Sequence, residues 1–132
     1  MRLSLLLLLV LALLSIQGVA QTNVELSSLK QIDANYQSCL DEGKNMLACS
    51  SRYYFEVDSV MGATFEHLKK GLKTRQQAHF VKQQQEWLQF RDRQFKLIDK
   101  HNELEGRDRE MVSYYEKANI VKERALILVG RI

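Results

Sequence analysis

The feature that excludes most folds is an absence: the 132 residues contain no proline. Val, Ile and Thr never alternate with polar residues over any length, so no stretch reads as a half-buried strand. Nothing in the chain removes a backbone N–H or clashes with a preceding helical turn. The fold class that follows is all-α. Apolar residues recur instead at steps of three and four. They predict a first helix from Val24 to about Asp41, with Leu26, Leu29, Ile32, Tyr36 and Leu40 on one face. Gly43-Lys44-Asn45 breaks it. A second helix runs from Met46 to about Leu72 on Leu47, Tyr54, Val57, Met61, Phe65 and Leu68. Gly62 and Gly71 each weaken it by roughly 1 kcal/mol relative to Ala, unless Gly62 marks a close approach of helices and Gly71 a terminus. A third helix covers about Thr74 to Leu104 and is ended by Gly106. A fourth covers about Arg109 to Val129, with Met111, Tyr114, Tyr115, Ala118, Val121, Ala125 and Leu128 as core candidates. The expectation is a small antiparallel bundle of about four helices.

Residues 1–20 read as a leader and not as part of that bundle. Arg2 is a short positive start, Leu5 to Ile16 form an apolar core, and Gly18-Val19-Ala20 offers the small residues that a signal peptidase reads. The apolar run falls short of the roughly 17–25 residues that a membrane span needs. Polar sequence begins at Gln21, and the first cysteine, Cys39, lies far downstream of the cleavage point, so the reading is a freely soluble exported protein and not an acylated lipoprotein. The expectation is a signal peptide over 1–20 and one exported domain over 21–132, periplasmic or extracellular, with no membrane contact after cleavage. Removing Arg2 lowers the formal charge from +3 to +2. No dense Lys/Arg face of the kind nucleic-acid binding requires is present.

Two cysteines in an exported chain are most simply one disulfide. Cys39 would lie near the end of the first helix and Cys49 in the first turn of the second, so the bond would clamp that hairpin. Loop closure over so short a span contributes roughly 2–3 kcal/mol. The alternatives are two free thiols or a metal site. The spacing does not match the CxxC of a redox centre, and His67, His79 and His101 add no metal-ligand pattern.

The stretch Gln83 to Phe95 holds the only tryptophan. On a helix, Phe80, Gln84, Trp87, Leu88, Arg91, Phe95 and Ile98 share one stripe, which puts Arg91 on the apolar side. A cation there needs a carboxylate or an aromatic face. We expect the other helices to pack around this one, with Arg91 bonded to Asp58 and stacked on Trp87. A contact with a partner's carboxylates is the functional alternative for Arg91. Gln76, Gln77 and Gln83 to Gln85 read as a solvated face.

The order of these features resembles the LprI-like lysozyme-inhibitor domain family of small exported bacterial proteins. The residues that carry it are Cys39, Met46, Cys49, Tyr53, Asp58, Met61, Phe65, Gln84, Trp87, Phe90, Arg91 and Asp92, with a later echo in Lys122-Glu123-Arg124-Ala125. The chain departs from the family in two ways. Met61-Gly62 and Phe65 stand where Leu-Asn and Tyr are usual, and a second cysteine pair is missing. The resemblance implies a non-catalytic monomer, without cofactor or metal, that binds and inhibits a lysozyme or other cell-wall hydrolase. The alternatives are an immunity or interaction protein for another envelope toxin or hydrolase, and a structural envelope domain.

Enzyme chemistry finds no support in the residues. No Ser/His/Asp or Cys/His arrangement, phosphate-binding Gly-rich loop or metal spacing is present, and Glu86 and Asp92 face different directions on a helix. For an interface, Tyr53, Tyr54, Tyr114 and Tyr115 are candidates, because adjacent helical residues cannot both be buried. So are the loops Lys44-Asn45, beside the cysteines, and Arg107-Asp108-Arg109, in the break before the last helix. Charge creates a tension. Animal-type lysozymes are strongly basic, and a partner of net +2 gains no long-range attraction to one. A local acidic patch, such as Asp33, Asp41 and Glu42, would offset it.

Overall fold

The computed structural model describes residues 22–131, and the expected leader over 1–20 lies outside them. Four helices follow one another: α1 (Arg2–Asp41), α2 (Met46–Lys70), α3 (Thr74–His101) and α4 (Gly106–Val129). Thr22 and Asn23 are already helical, so Val24 is not a boundary. Among the described residues there is no strand.

Each turn has a local cause. Gly43 adopts φ +66°, and Asn45 caps α2 by accepting the Ala48 N–H at 3.3 Å. Gly71 ends α2, its N–H returning to the Leu68 carbonyl. Gln76 reaches back to the Lys73 N–H at 3.2 Å, and Gln77 donates to the Leu72 carbonyl at 2.9 Å. The expected solvated glutamine face is therefore partly a helix cap. The last corner departs from expectation. α3 stops at His101, Asn102 folds the chain by accepting the Leu104 N–H at 3.1 Å, and Gly106 at φ +61° opens α4 instead of closing α3. Arg107, Asp108 and Arg109 consequently lie in the first turn of α4, not in a loop.

Successive helices run antiparallel, as cross-helix pairs show. Cys39 is bonded to Cys49 with Cα atoms 5.8 Å apart, clamping α1 to α2. Phe65 stacks on Phe80 at 4.9 Å between α2 and α3, and Asp99 meets Ser113 between α3 and α4. α2 and α4 are thus parallel, and among the described residues they make the most extensive contact, whereas α1 and α3 flank this pair and do not meet. The expected hub, α3, is therefore a flank. It supplies only Phe80 and Gln84 to the buried set.

Small side chains explain the α2–α4 pairing. Ser50, Val57 and Thr64 recur every seven residues on α2 and are fully buried, as are Ala118, Val121, Ala125 and Leu128 on α4. Such residues let helix axes approach closely. Burying Val57, Val121 and Leu128 contributes roughly 1.5–3 kcal/mol each relative to exposure. A bulkier residue at Ala118 or Ala125 would wedge the pair apart, at a cost of roughly 1–3 kcal/mol. Gly62 is not part of this approach, because a Cβ there meets nothing within 4 Å.

Candidate functional site

Arg91 does not bond to Asp58. Its guanidinium donates instead to the adjacent Asp92, at 3.0 and 2.7 Å, and lies 5.8 Å from the Trp87 ring and 5.5 Å from Phe95. As a flank helix, α3 leaves its stripe half-covered, and Arg91 reaches solvent. Asp58 keeps one carboxylate oxygen, Oδ1, buried without a hydrogen-bond partner. Burial first, and the Asp58 carboxylate second, push the Tyr54 hydroxyl pKa up.

The deeply buried cation is Arg124 of α4, 8% exposed. Its Nε and Nη2 donate to Gln84 Oε1 at 3.1 and 2.8 Å, and its guanidinium lies 5.5 Å from the Trp87 ring. Gln84 in turn donates to Met61 Sδ at 3.3 Å. Burial, then the Arg131 charge, lower the Arg124 pKa. The signal for this residue was present in the sequence. Arg124 lies three residues after Val121 and four before Leu128, on the same buried stripe, and within the Lys-Glu-Arg-Ala echo.

Tyr53 is a further correction. It is buried at 4%, not exposed, in a stack with Tyr36 at 4.4 Å and Tyr115 at 6.3 Å that joins α1, α2 and α4. Its hydroxyl donates to Asp33 Oδ1 at 2.8 Å, and Lys122 Nζ closes on both Asp33 oxygens at 2.7 and 2.6 Å. Asp33 is thereby neutralised and cannot serve as an acidic patch. Asp41 accepts from the neutral amide of Gln37 at 2.9 Å and keeps its charge. Tyr114 is half-buried beside Tyr54 and Phe55, and of the adjacent pair Tyr115 is the more exposed.

The alternating topology brings the α1–α2 and α3–α4 connections to one end of the bundle. There Arg107 Nη2 donates to Asn45 Oδ1 at 3.1 Å, and Lys44, Asn45, Met46, Arg107, Asp108 and Met111 line one depression. Lys44, Asn45 and Arg107, far apart in sequence, therefore share one surface that the disulfide braces from behind. Arg109 instead donates to the Asp99 carbonyl. Asp99 also accepts Lys117 at 2.7 Å and Ser113 at 2.6 Å. Those two hydrogen bonds hold its carboxyl below the ordinary range. Glu103, Glu105, Asp108 and Glu110 cluster at this end, whereas Lys69, Lys70, Lys73 and Arg75 surround the opposite α2–α3 turn. Lys44, Arg107 and Arg109 interleave with the acids at the first end.

Among the described residues, no group of three His, Cys, Asp or Glu is placed to hold a metal ion, and no helix is long and apolar enough to cross a membrane. Comparison with family models matches residues 34–128 to the family described as lysozyme inhibitor LprI. No curated protein and no solved structure matches the chain.

Proposed function

The chain belongs to the LprI lysozyme-inhibitor family, and from that premise we propose that it is an exported, non-catalytic protein that binds and inhibits a cell-wall hydrolase. The observation that carries this reading is the family match, which spans the disulfide, the tyrosine stack and the Arg124 network. The leader-like residues 1–20 and a formed disulfide support export. The mature protein then runs over 21–132 and acts as a monomer. The contacting surface is the braced end, with Lys44, Asn45 and Arg107 at its centre and Arg109 and Tyr114 along one side. A rigid surface loses little ordering entropy on binding, which favours affinity.

Titrating the purified mature protein into a basic animal-type lysozyme that is digesting labelled cell wall tests this directly. Loss of rate that saturates near one equivalent is the expected result. An unchanged rate at micromolar excess, with another envelope hydrolase recovered in a pull-down, would redirect the inhibitor to that target.

A further inference from the structure

At the same end of the bundle, between α3 and α4, lies an open groove of about 610 Å³ floored by Leu97, Ile98, Leu104 and Val112. The volume is in the range of roughly 300–1,000 Å³ typical of sites that take a ligand-sized group. Leu97 and Leu104 are each 46% exposed and converge on it from the helix and from the α3–α4 connection. Scattered exposed leucines are ordinary, but several facing one concavity with a polar rim mark an interaction surface. The rim is Glu103 and Glu116, whose side chains have no ion pair or hydrogen bond among the described residues, with His101 beside them. No lysine or arginine lines the groove.

We infer that this groove receives a cationic segment of the target hydrolase, an apolar side chain seated on the leucines and a Lys or Arg meeting Glu103 and Glu116. The inference rests on the function proposed above and names the recognition chemistry on that end. It also resolves the charge tension. The chain is positive overall, and Lys44, Arg107 and Arg109 also lie at this end, yet the groove itself is lined by two carboxylates and no Lys or Arg. A basic segment is therefore favoured locally at the groove. Of the acids that looked suited to this role in the sequence, Asp33 is paired with Lys122, whereas Asp41 accepts only from neutral Gln37 and Glu42 is exposed.

The test compares the parent with Glu103→Lys/Glu116→Lys, with Leu104→Asp, and with Lys70→Glu/Arg75→Glu at the far end. Each is assayed for inhibition of the animal-type lysozyme and, by surface plasmon resonance, for association at two salt concentrations. All five substituted side chains are exposed and none belongs to the core cluster, so melting temperatures serve as a folding control for every variant. The expected result is a loss of inhibition of about tenfold or more for each groove variant. The double reversal should act through a slower and less salt-sensitive association, and the far-end variant should stay within about twofold of the parent. Folded groove variants that inhibit like the parent would overturn the inference and leave the proposed function standing. A parent that neither binds nor inhibits the lysozyme, and that recovers no other envelope hydrolase, would remove both.

Discussion

Arg124 and Arg91 both lie beside the single tryptophan, but they carry different loads. Arg91 shares its charge with an exposed neighbour one residue away, and such surface pairs contribute about 0–1 kcal/mol. Arg124 is buried, and its acceptor is the neutral oxygen of Gln84. Truncating it leaves a cavity under Trp87 and a buried amide oxygen unpaired. We therefore expect Arg124→Ala to cost about 2–4 kcal/mol in urea unfolding and Arg91→Ala less than about 1. Equal losses would show that the Gln84 network contributes nothing special. The pair Arg124→Met/Gln84→Leu removes charge and acceptor together and should fall within about 1 kcal/mol of the parent. Tyr53 sets a second expectation. Burial, then its hydrogen bond to Asp33, raise its pKa. The folded state thus keeps the phenolic proton after the unfolded chain, at about pH 10, has released it. The stability that Tyr53 adds over Tyr53→Phe should be constant below about pH 10 and shrink above it. A difference independent of pH up to 11 would show that the hydroxyl is not held neutral by the fold.

At the scale of the element, Gly62 sits in the middle of α2 with negative φ and open space where a Cβ would go. Gly62→Ala should therefore stabilise the protein by about 0.5–1 kcal/mol, read as a higher denaturation midpoint at unchanged slope. A loss would reveal a close approach at this position. How far the helices were legible follows from the same physics. Their existence was clear because no proline interrupts the three-and-four spacing, and α1, α2 and α3 end or begin within a few residues of expectation. The α3–α4 corner was misread because a lone glycine marks either end of a helix, and only its left-handed backbone angle tells which. Ala118 and Ala125 were legible as core residues, but the α2–α4 pairing was not, because Ser50 and Thr64 are small and polar and the stripe of Trp87 and Phe95 drew attention to α3 instead. The site was half legible. Lys44, Asn45 and Arg107 stood out as turn residues, but the azimuth of α3, which separates Arg91 from Asp58, is set by its neighbours and not by its own periodicity.

The whole molecule is a tight parallel pair with two unequal flanks. α1 is fastened to the pair by a disulfide, a tyrosine stack and the Asp33–Lys122 bridge. α3 has no covalent tie and buries only Phe80 and Gln84, with half-covered Trp87 and Phe95 beyond them. Segments with few buried contacts open at lower free energy than the global transition. The carboxy-terminal half of α3, from Trp87 to the corner, should accordingly detach from the α2–α4 pair first. Because Trp87 is the only tryptophan, its fluorescence reports that detachment without labelling. Its midpoint in urea should precede the loss of helical circular dichroism, and amides of α3 should exchange faster than those of α2 and α4. The groove between α3 and α4 lies on this less stable side, so a bound hydrolase should raise the fluorescence midpoint more than the dichroism midpoint. Coincident transitions, with uniform protection from exchange, would mean that the flank is as cooperative as the pair it covers.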